Sequence, residues 1–363
     1  MHLLTVNVGS SSVRLSVYAD GGRCLASAHH SGSDVKLKEW IPPLLAAAGC
    51  EHIDAVGHRI VHGGERFTAA CRIDEKAFAE LEKLTELAPL HIPHALAWVR
   101  ACTEHFGRTV PQVAVFDTAY FAALPAVAKT YALPRQLASK YALHRYGFHG
   151  LAHQVLLRQW QARGGFSGRA PRVISLQLGS GCSIAALRDG APLDISMGFT
   201  PLEGLVMATR SGDLDPGVVL YLQRREGLTP AQVEAMLNEQ SGLLGISGAT
   251  GDMQALLSSS DPAAQLAVDV YCYRARKYLG AFMTVLGGAD AILFGGGVGE
   301  NAPRIRAQIL SGLNWAGIQM DVAQNNSAVA PARFETTASS VQLWVLPVDE
   351  SELVAEETRA VLN

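Results

Sequence analysis

The sequence predicts an α/β protein built from two related halves, and three observations carry that expectation. Apolar strand-like runs alternate with helix-like stretches along the chain. A unit of strand, glycine/serine turn and strand occurs twice, about half a chain apart. Three glycine-rich turns, at residues 7–12, 179–183 and 295–301, are expected, each following a strand-like run.

The first unit opens with the apolar run Leu3–Val8, turns through residues 9–12, and alternates again over 13–18 (Val13, Leu15 and Val17 against Arg14 and Ser16). Gly21 and Gly22 mark the next turn, before a short strand at 24–28. Residues 36–48 read as a helix, Ala55–Ile60 as a buried strand, 77–84 and 94–104 as helices, and Gln112–Phe116 as a buried strand ending at Asp117. The second unit repeats the opening: strand 173–178, turn 179–181, strand 182–187, an Asp189-Gly190 hairpin turn, and strand 193–196. A long helix over 265–286 feeds strand 291–294, which runs into the glycines at 295–297. The chain closes with strand 341–346 and helix 352–362. No low-complexity linker separates the halves.

Bulk properties exclude several classes. A chain of 363 residues is long enough for two cores, and 48% hydrophobic with 17% charged residues suits a globular protein rather than a disordered one. A formal charge of −3 with scattered basic residues gives no pull toward nucleic acid or anionic membrane. The six cysteines are widely spaced and form no C-x-x-C pair, which predicts reduced thiols. The start shows no basic region leading into a cleavable apolar stretch, and the most apolar span, residues 278–298, is interrupted by glycines and Asp290. The expectation is a soluble, cytoplasmic protein.

The three glycine-rich segments suit phosphate. Convergent backbone N–H groups bind phosphate well, and glycine lets the backbone approach without a Cβ in the way. Each alone is also compatible with an ordinary turn; three at strand ends favour a phosphate role. None is a G-x-x-x-x-G-K-[ST] loop or a G-x-G-x-x-G fingerprint, which disfavours P-loop and Rossmann enzymes. Polar clusters also sit where apolar runs stop: residues 57–65 around Arg59, 89–93 around His91, 115–119 around Asp117, 145–150 around His149, and 207–216 around Arg210. Such positions favour function, because ligands of open α/β sheets bind beyond strand ends. The competing readings are a cap for Asp117 and a structural histidine for His149. The pairs His58/His62 and His149/His153 have i, i+4 spacing, but one lies in a strand-like run and the other lacks H-E-x-x-H, so zinc is not expected.

On these residues the sequence resembles the acetate kinase family, within the acetate and sugar kinase/Hsp70/actin superfamily. The resemblance runs from residues 7–12 to 347–353 and is densest at 57–67, 88–93, 113–119, 145–150, 196–216 and 242–253. It implies a duplicated ribonuclease H-like (actin-like ATPase) fold with its active site in the interdomain cleft. The implied domains are residues 1–117 plus 348–363, and residues 118–347 carrying most of the nucleotide site. The implied reaction is reversible phosphorylation of a short-chain carboxylate, acetate or propionate, by ATP with Mg²⁺ (or Mn²⁺), in a cytoplasmic homodimer. By position, Asn7 and Glu350 match the metal-side residues. Arg59 matches the carboxylate-binding arginine, Val61, Leu90 and Pro93 the alkyl pocket, and His91, His149 and Arg210 the groups around the phosphoryl. Asp117 matches the catalytic aspartate. Ser10, Ser12, Arg14, Gln177, Leu178, Gly179, Ser180, Gly181, Asp252, Met253, Gln254, Gly297, Val298, Gly299, Glu300 and Asn301 match nucleotide-side positions.

The chemistry agrees. Phosphoryl transfer needs positioning and charge neutralisation, which arginine forks supply, and a carboxylate is already ionised at neutral pH and needs no general base. Asp117 therefore reads as an orienting group for Arg59 or for water on the metal. Four positions depart from the family pattern: Arg14 for lysine, Gln177 for histidine, Ser180 for asparagine and Gln254 for arginine. The chain is also shorter than a typical member. These departures leave open a butyrate-type or pyrophosphate-using kinase, or a non-catalytic homologue that binds nucleotide or acyl phosphate.

Overall fold

The computed structural model describes all residues of the chain except 10, 11, 33, 90 and 166–169. Two compact units emerge: residues 1–122 with 148–155 and 349–363, and residues 123–147 with 156–348.

The first unit carries six strands, β1 (Leu3–Val8), β2 (Ser12–Tyr18), β3 (Cys24–Ser31), β4 (Ala55–Ile60), β5 (Cys71–Arg72) and β6 (Gln112–Phe116), in the order β3-β2-β1-β4-β6-β5. The β1–β2 and β2–β3 pairs are antiparallel, β1–β4 and β4–β6 parallel, and β5 closes the edge antiparallel to β6. Every residue of β6 is buried, as a central strand covered on both faces requires. Helix Ile92–Phe106 covers one face through Ile92, Ala95, Leu96, Val99 and Cys102, the spacing of a single helical stripe, with Pro93 in its first turn. The C-terminal helix Glu350–Leu362 packs Leu353 and Val354 against Val113, Val115 and Leu151. It comes so near β4 that a Cβ on Gly57 would meet Thr358 Oγ1 at 2.2 Å, so only glycine fits there.

The second unit repeats the plan. Its strands are β7 (Arg172–Leu178), β8 (Cys182–Arg188), β9 (Ala191–Ile195), β10 (Ala291–Gly295), β11 (Ala332–Arg333) and β12 (Gln342–Val345), ordered β11-β12-β10-β7-β8-β9. The β7–β8 and β8–β9 pairs are antiparallel, β7–β10 and β10–β12 parallel, and β11 antiparallel to β12. Strand for strand this is the order and sense of the first sheet, so the duplication expected from the two hairpin units is present. Helix Pro262–Leu286 starts on an Asp261 cap and stops at Gly287, which adopts φ 71°.

One expectation is corrected. The segment 295–301 is not a turn: the chain leaves β10 at Gly295 and enters helix Gly296–Asn301 at once. Gly296 makes this possible with φ 76°, and a Cβ there would lie 2.6 Å from the Leu178 carbonyl. Several helices went unassigned from the sequence, among them Pro216–Glu226 and Pro230–Glu239. The first buries no residue and the second only Val233, so neither shows an apolar stripe to the eye.

Candidate active site

In the first unit three neighbouring strands deliver one polar side chain each. Asn7 lies near the end of β1, Arg59 near the end of β4, and Asp117 directly follows β6. Arg59 Nε donates to Asp117 Oδ1 at 2.9 Å, and Nη2 donates to Oδ2 at 2.6 Å. Arg59 Nη1 donates to Asn7 Oδ1 at 3.0 Å, while Asn7 Nδ2 donates to Glu350 Oε2 at 2.8 Å. Glu350 Oε2 is also 3.4 Å from Arg59 Nε. Residues distant in sequence thus close one network at the C-terminal edge of parallel strands, where α/β sheets bind ligands. Asp117 is 1% exposed, Arg59 13% and Glu350 11% by side chain.

Burial shapes the charges. It raises the Asp117 pKa above the ordinary 3.8, opposed by the Arg59 charge and hydrogen bonds and reinforced by Glu350. Burial alone lowers that of Arg59, but Asp117 and Glu350 outweigh it and hold the guanidinium firmly protonated. Three of the five N–H donors of Arg59 are engaged among the described residues, so two remain for a ligand.

The remaining first-unit candidates differ in position and burial. Arg14, paired across the sheet with Asn7, reaches Asp349 at 3.4 Å and is half-buried. Ser12 begins β2 and is half-buried. Val61 is buried, His91 half-buried at the start of helix Ile92–Phe106, and Pro93 exposed. Ser10 and Leu90 lie outside the described residues. His149 holds φ 60°, an uncommon conformation for a non-glycine residue. Its neighbour Gly150 donates to the Asp117 carbonyl at 3.0 Å, and a Cβ there would collide with that oxygen. The strained His149 is thereby locked beside the Asp117 backbone.

The second unit gathers the remaining nucleotide-side candidates, those beyond Ser10, Ser12 and Arg14. The Ala208 N–H donates to the Ser180 carbonyl at 3.0 Å, tying the Arg210 segment to the turn formed by Gly179, Ser180 and Gly181. Helix Gly296–Asn301 lies against that turn, because the Cβ position of Gly296 falls 2.6 Å from Leu178 O and 2.9 Å from Gln177 Nε2. Gln177 Oε1 is buried with no hydrogen-bond partner among the described residues. Gly251 packs equally close to the Ala208 carbonyl, which brings in the segment of Asp252, Met253 and Gln254. Asp252 caps helix Met253–Ser258 by accepting from the Ala255 N–H at 2.8 Å; Met253 is buried and Gln254 exposed. Glu300 Oε1 reaches back to the Gly296 N–H at 3.1 Å, and Asn301 Nδ2 donates to the Gly297 carbonyl at 3.0 Å. Leu178 and Gly299 are buried, Val298 half-buried and Gly297 exposed.

Arg210 differs from Arg59 in having no carboxylate partner among the described residues. Nη1 donates to the Pro201 carbonyl at 3.2 Å, and burial pulls its pKa down. A partly buried guanidinium without a counter-charge is a strong anion-binding candidate.

Sequence reasoning missed two supports. Arg306, fully buried, donates through Nη1 to the carbonyls of Gly299 and Glu300 at 2.8 and 2.9 Å, and through Nε to Asn325 Oδ1 at 2.8 Å. Glu203 pairs with Arg145 at 2.6 Å and with the Tyr131 hydroxyl. Neither pairing leaves a spacing signal, since each joins segments that only the fold brings together.

Comparison with known proteins identifies the family. The chain is 46% identical to an acetate kinase of Solibacter usitatus, covering 86% of this chain and 77% of that protein. It is 36% identical to an acetate kinase of Brachyspira hyodysenteriae over 99% of both. Among solved structures, a Porphyromonas gingivalis acetate kinase superposes with a TM-score of 0.89 at 34% identity, covering all of both chains. A Francisella tularensis propionate kinase gives 0.89 at 32%, covering 99% of each. The sequence model of the Acetokinase family matches residues 24–356, and the chain belongs to that family.

Proposed function

We propose that this kinase catalyses the reversible, ATP-dependent phosphorylation of acetate to acetyl phosphate, with propionate as a second acceptor. The observation that carries the reading is the clamp on Arg59: Asp117 grips one edge of the guanidinium and Asn7 a third N–H, leaving two donors for an anionic substrate. Arg59 binds the substrate carboxylate through them, and Asp117 positions Arg59 rather than acting as a base. Val61, Leu90 and Pro93 receive the alkyl group. Arg210 and His149, with His91, neutralise the transferring phosphoryl, whose transition state spreads charge over its equatorial oxygens. Backbone N–H groups of the 179–181 turn and of helix Gly296–Asn301 hold the nucleotide phosphates.

The residues present fit a magnesium ion. Glu350 Oε2 takes both the Asn7 and the Arg59 contacts, leaving Oε1 without a donor among the described residues, and hard carboxylate and carboxamide oxygens suit Mg²⁺. Glu350, with Asn7 beside it, would hold the ion, which when bound neutralises phosphate charge. The family and the Asn7 and Glu350 positions support a Mg²⁺-dependent enzyme, which we place in the cytoplasm as the family resemblance implies; no helix among the described residues is long and apolar enough to cross a membrane.

Trapping the acyl phosphate with hydroxylamine, in ATP, Mg²⁺ and acetate, propionate or butyrate, tests the reading. Turnover with acetate or propionate is expected. No turnover with any acid, while calorimetry still shows ATP binding, points instead to the non-catalytic reading. Turnover with pyrophosphate in place of ATP identifies the other donor.

A further inference from the structure

We propose that His2, His52 and Asp54 form a binding site for a divalent transition-metal ion, remote from the substrate residues. His2 immediately precedes β1, and His52 and Asp54 lie in the turn before β4. These strands are parallel neighbours in the register Leu3↔Ala55, so His2 and Asp54 are adjacent across the sheet. The pairing is reciprocal: the His2 N–H donates to Asp54 Oδ2 at 2.6 Å, and the Asp54 N–H donates to the His2 carbonyl at 2.8 Å. The His2 and His52 rings meet edge-on with centroids 5.7 Å apart, and His52 Nε2 lies 3.5 Å from Asp54 Oδ1. One ligating atom from each of the three residues falls within 4.8 Å of the others.

A second observation points to a ligand. His2 Nδ1 is buried and has no hydrogen-bond partner among the described residues. An imidazole nitrogen taken from water without a partner carries a desolvation cost that a metal bond removes. The opposite wall is adjustable, because the His52 side chain is 72% exposed and can turn to bring its nitrogen to bonding distance. The Met1 amine is 4.0 Å from Asp54 Oδ2 but 2.7 Å from Asp20, which takes most of its charge. Two imidazoles and a carboxylate select Zn²⁺, Ni²⁺ or Cu²⁺ over Mg²⁺ or Ca²⁺, which demand oxygen.

The site clips the starts of β1 and β4, while Asn7 and Arg59 occupy the other ends of the same strands, about 16 Å away at 3.3 Å per residue. It therefore acts on stability rather than on turnover. Because its ligands come from segments 50 residues apart, the native state binds the ion far better than the unfolded chain, so binding must raise Tm.

Calorimetry and thermal unfolding of the untagged full chain with NiCl₂ test this. One Ni²⁺ per chain and a Tm that climbs with Ni²⁺ concentration are expected with saturating MgCl₂ present throughout, since Mg²⁺ takes the proposed oxygen site at Glu350 and does not compete for two imidazoles. His52→Ala should weaken Ni²⁺ binding at least about tenfold and erase the Tm rise. It should leave hydroxamate turnover unchanged, which also shows that the variant folds. Asp54→Asn, which keeps an oxygen acceptor for the His2 N–H, should weaken binding likewise. No saturable Ni²⁺ binding, undiminished binding by His52→Ala, or binding without a Tm shift each overturns the proposal.

Discussion

The two arginines, Arg59 and Arg210, meet opposite environments, and the contrast says what each is suited to hold. Arg59 is neutralised and aimed by Asp117, so its remaining donors present geometry more than charge. Among the described residues Arg210 has carbonyl and thioether contacts and no carboxylate, so it offers an uncompensated charge to an anion. Asp117→Asn keeps the shape but loses the ionic grip, and should lower kcat by about 10²–10³ without unfolding the chain. The pH profile carries the same information. Burial raises the Asp117 pKa, so as pH falls the carboxylate protonates early and Arg59 loses its clamp. Wild-type kcat/KM should therefore fall on the acid side above the pH expected of an ordinary carboxylate, and Asp117→Asn should lack that limb. An identical acid limb in both proteins would assign it to another group.

Elements matter here through the places where they touch most closely. The C-terminal helix Glu350–Leu362 begins with the proposed metal-side carboxylate and leans on β4 at Gly57, where no Cβ fits. Gly57→Ala must push the helix away from the sheet. It should cost about 1–3 kcal/mol in urea unfolding and raise the Mg²⁺ concentration needed for half-maximal rate. An unchanged Mg²⁺ requirement would detach Glu350 from the metal. On the nucleotide side, Gly296→Ala is strained twice, by φ 76° and by the Leu178 carbonyl. Raised KM for ATP with unchanged KM for acetate is the expected split; equal rises in both would argue against a nucleotide role for helix Gly296–Asn301.

For the whole molecule, one consequence of burying histidines is acid sensitivity. His58, 1% exposed, donates to Gln112 Oε1 at 2.6 Å, and burial lowers its pKa from 6.5 to about 4. His153 is lowered to about 3 for the same reason. A folded pKa below the unfolded one means that the unfolded chain binds the extra proton. The neutral rings therefore contribute full stability above pH 6.5, and lose it as pH falls toward the folded value. For His58 the loss approaches about 3 kcal/mol, while protonation of Asp117 works in the opposite direction over part of that range. Comparing wild type with His58→Gln in urea from pH 7 to 4 isolates the histidine. The variant should show a shallower decline, and parallel curves would remove His58 as a cause.

Local pattern by itself determined the strands except the two-residue edge strands Cys71–Arg72 and Ala332–Arg333, together with the two glycine/serine hairpins and hence the duplicated plan. Period-two alternation and turn chemistry act between residues close in sequence, and the first six-residue runs were read to within a residue or two at their ends. The polar residues at the strand ends were legible as candidates for the same reason. Their partners were not: Asn7 meets Glu350 across 343 positions, and Arg59 meets Asp117 across 58. The helical nature of 296–301, the buried support from Arg306 and the meeting of His2 with His52 and Asp54 were likewise invisible along the chain. Each depends on strand register or on where a buried backbone must find a donor. Those are properties of the folded sheet, because only long-range pairing decides which distant side chains are lifted out of water together.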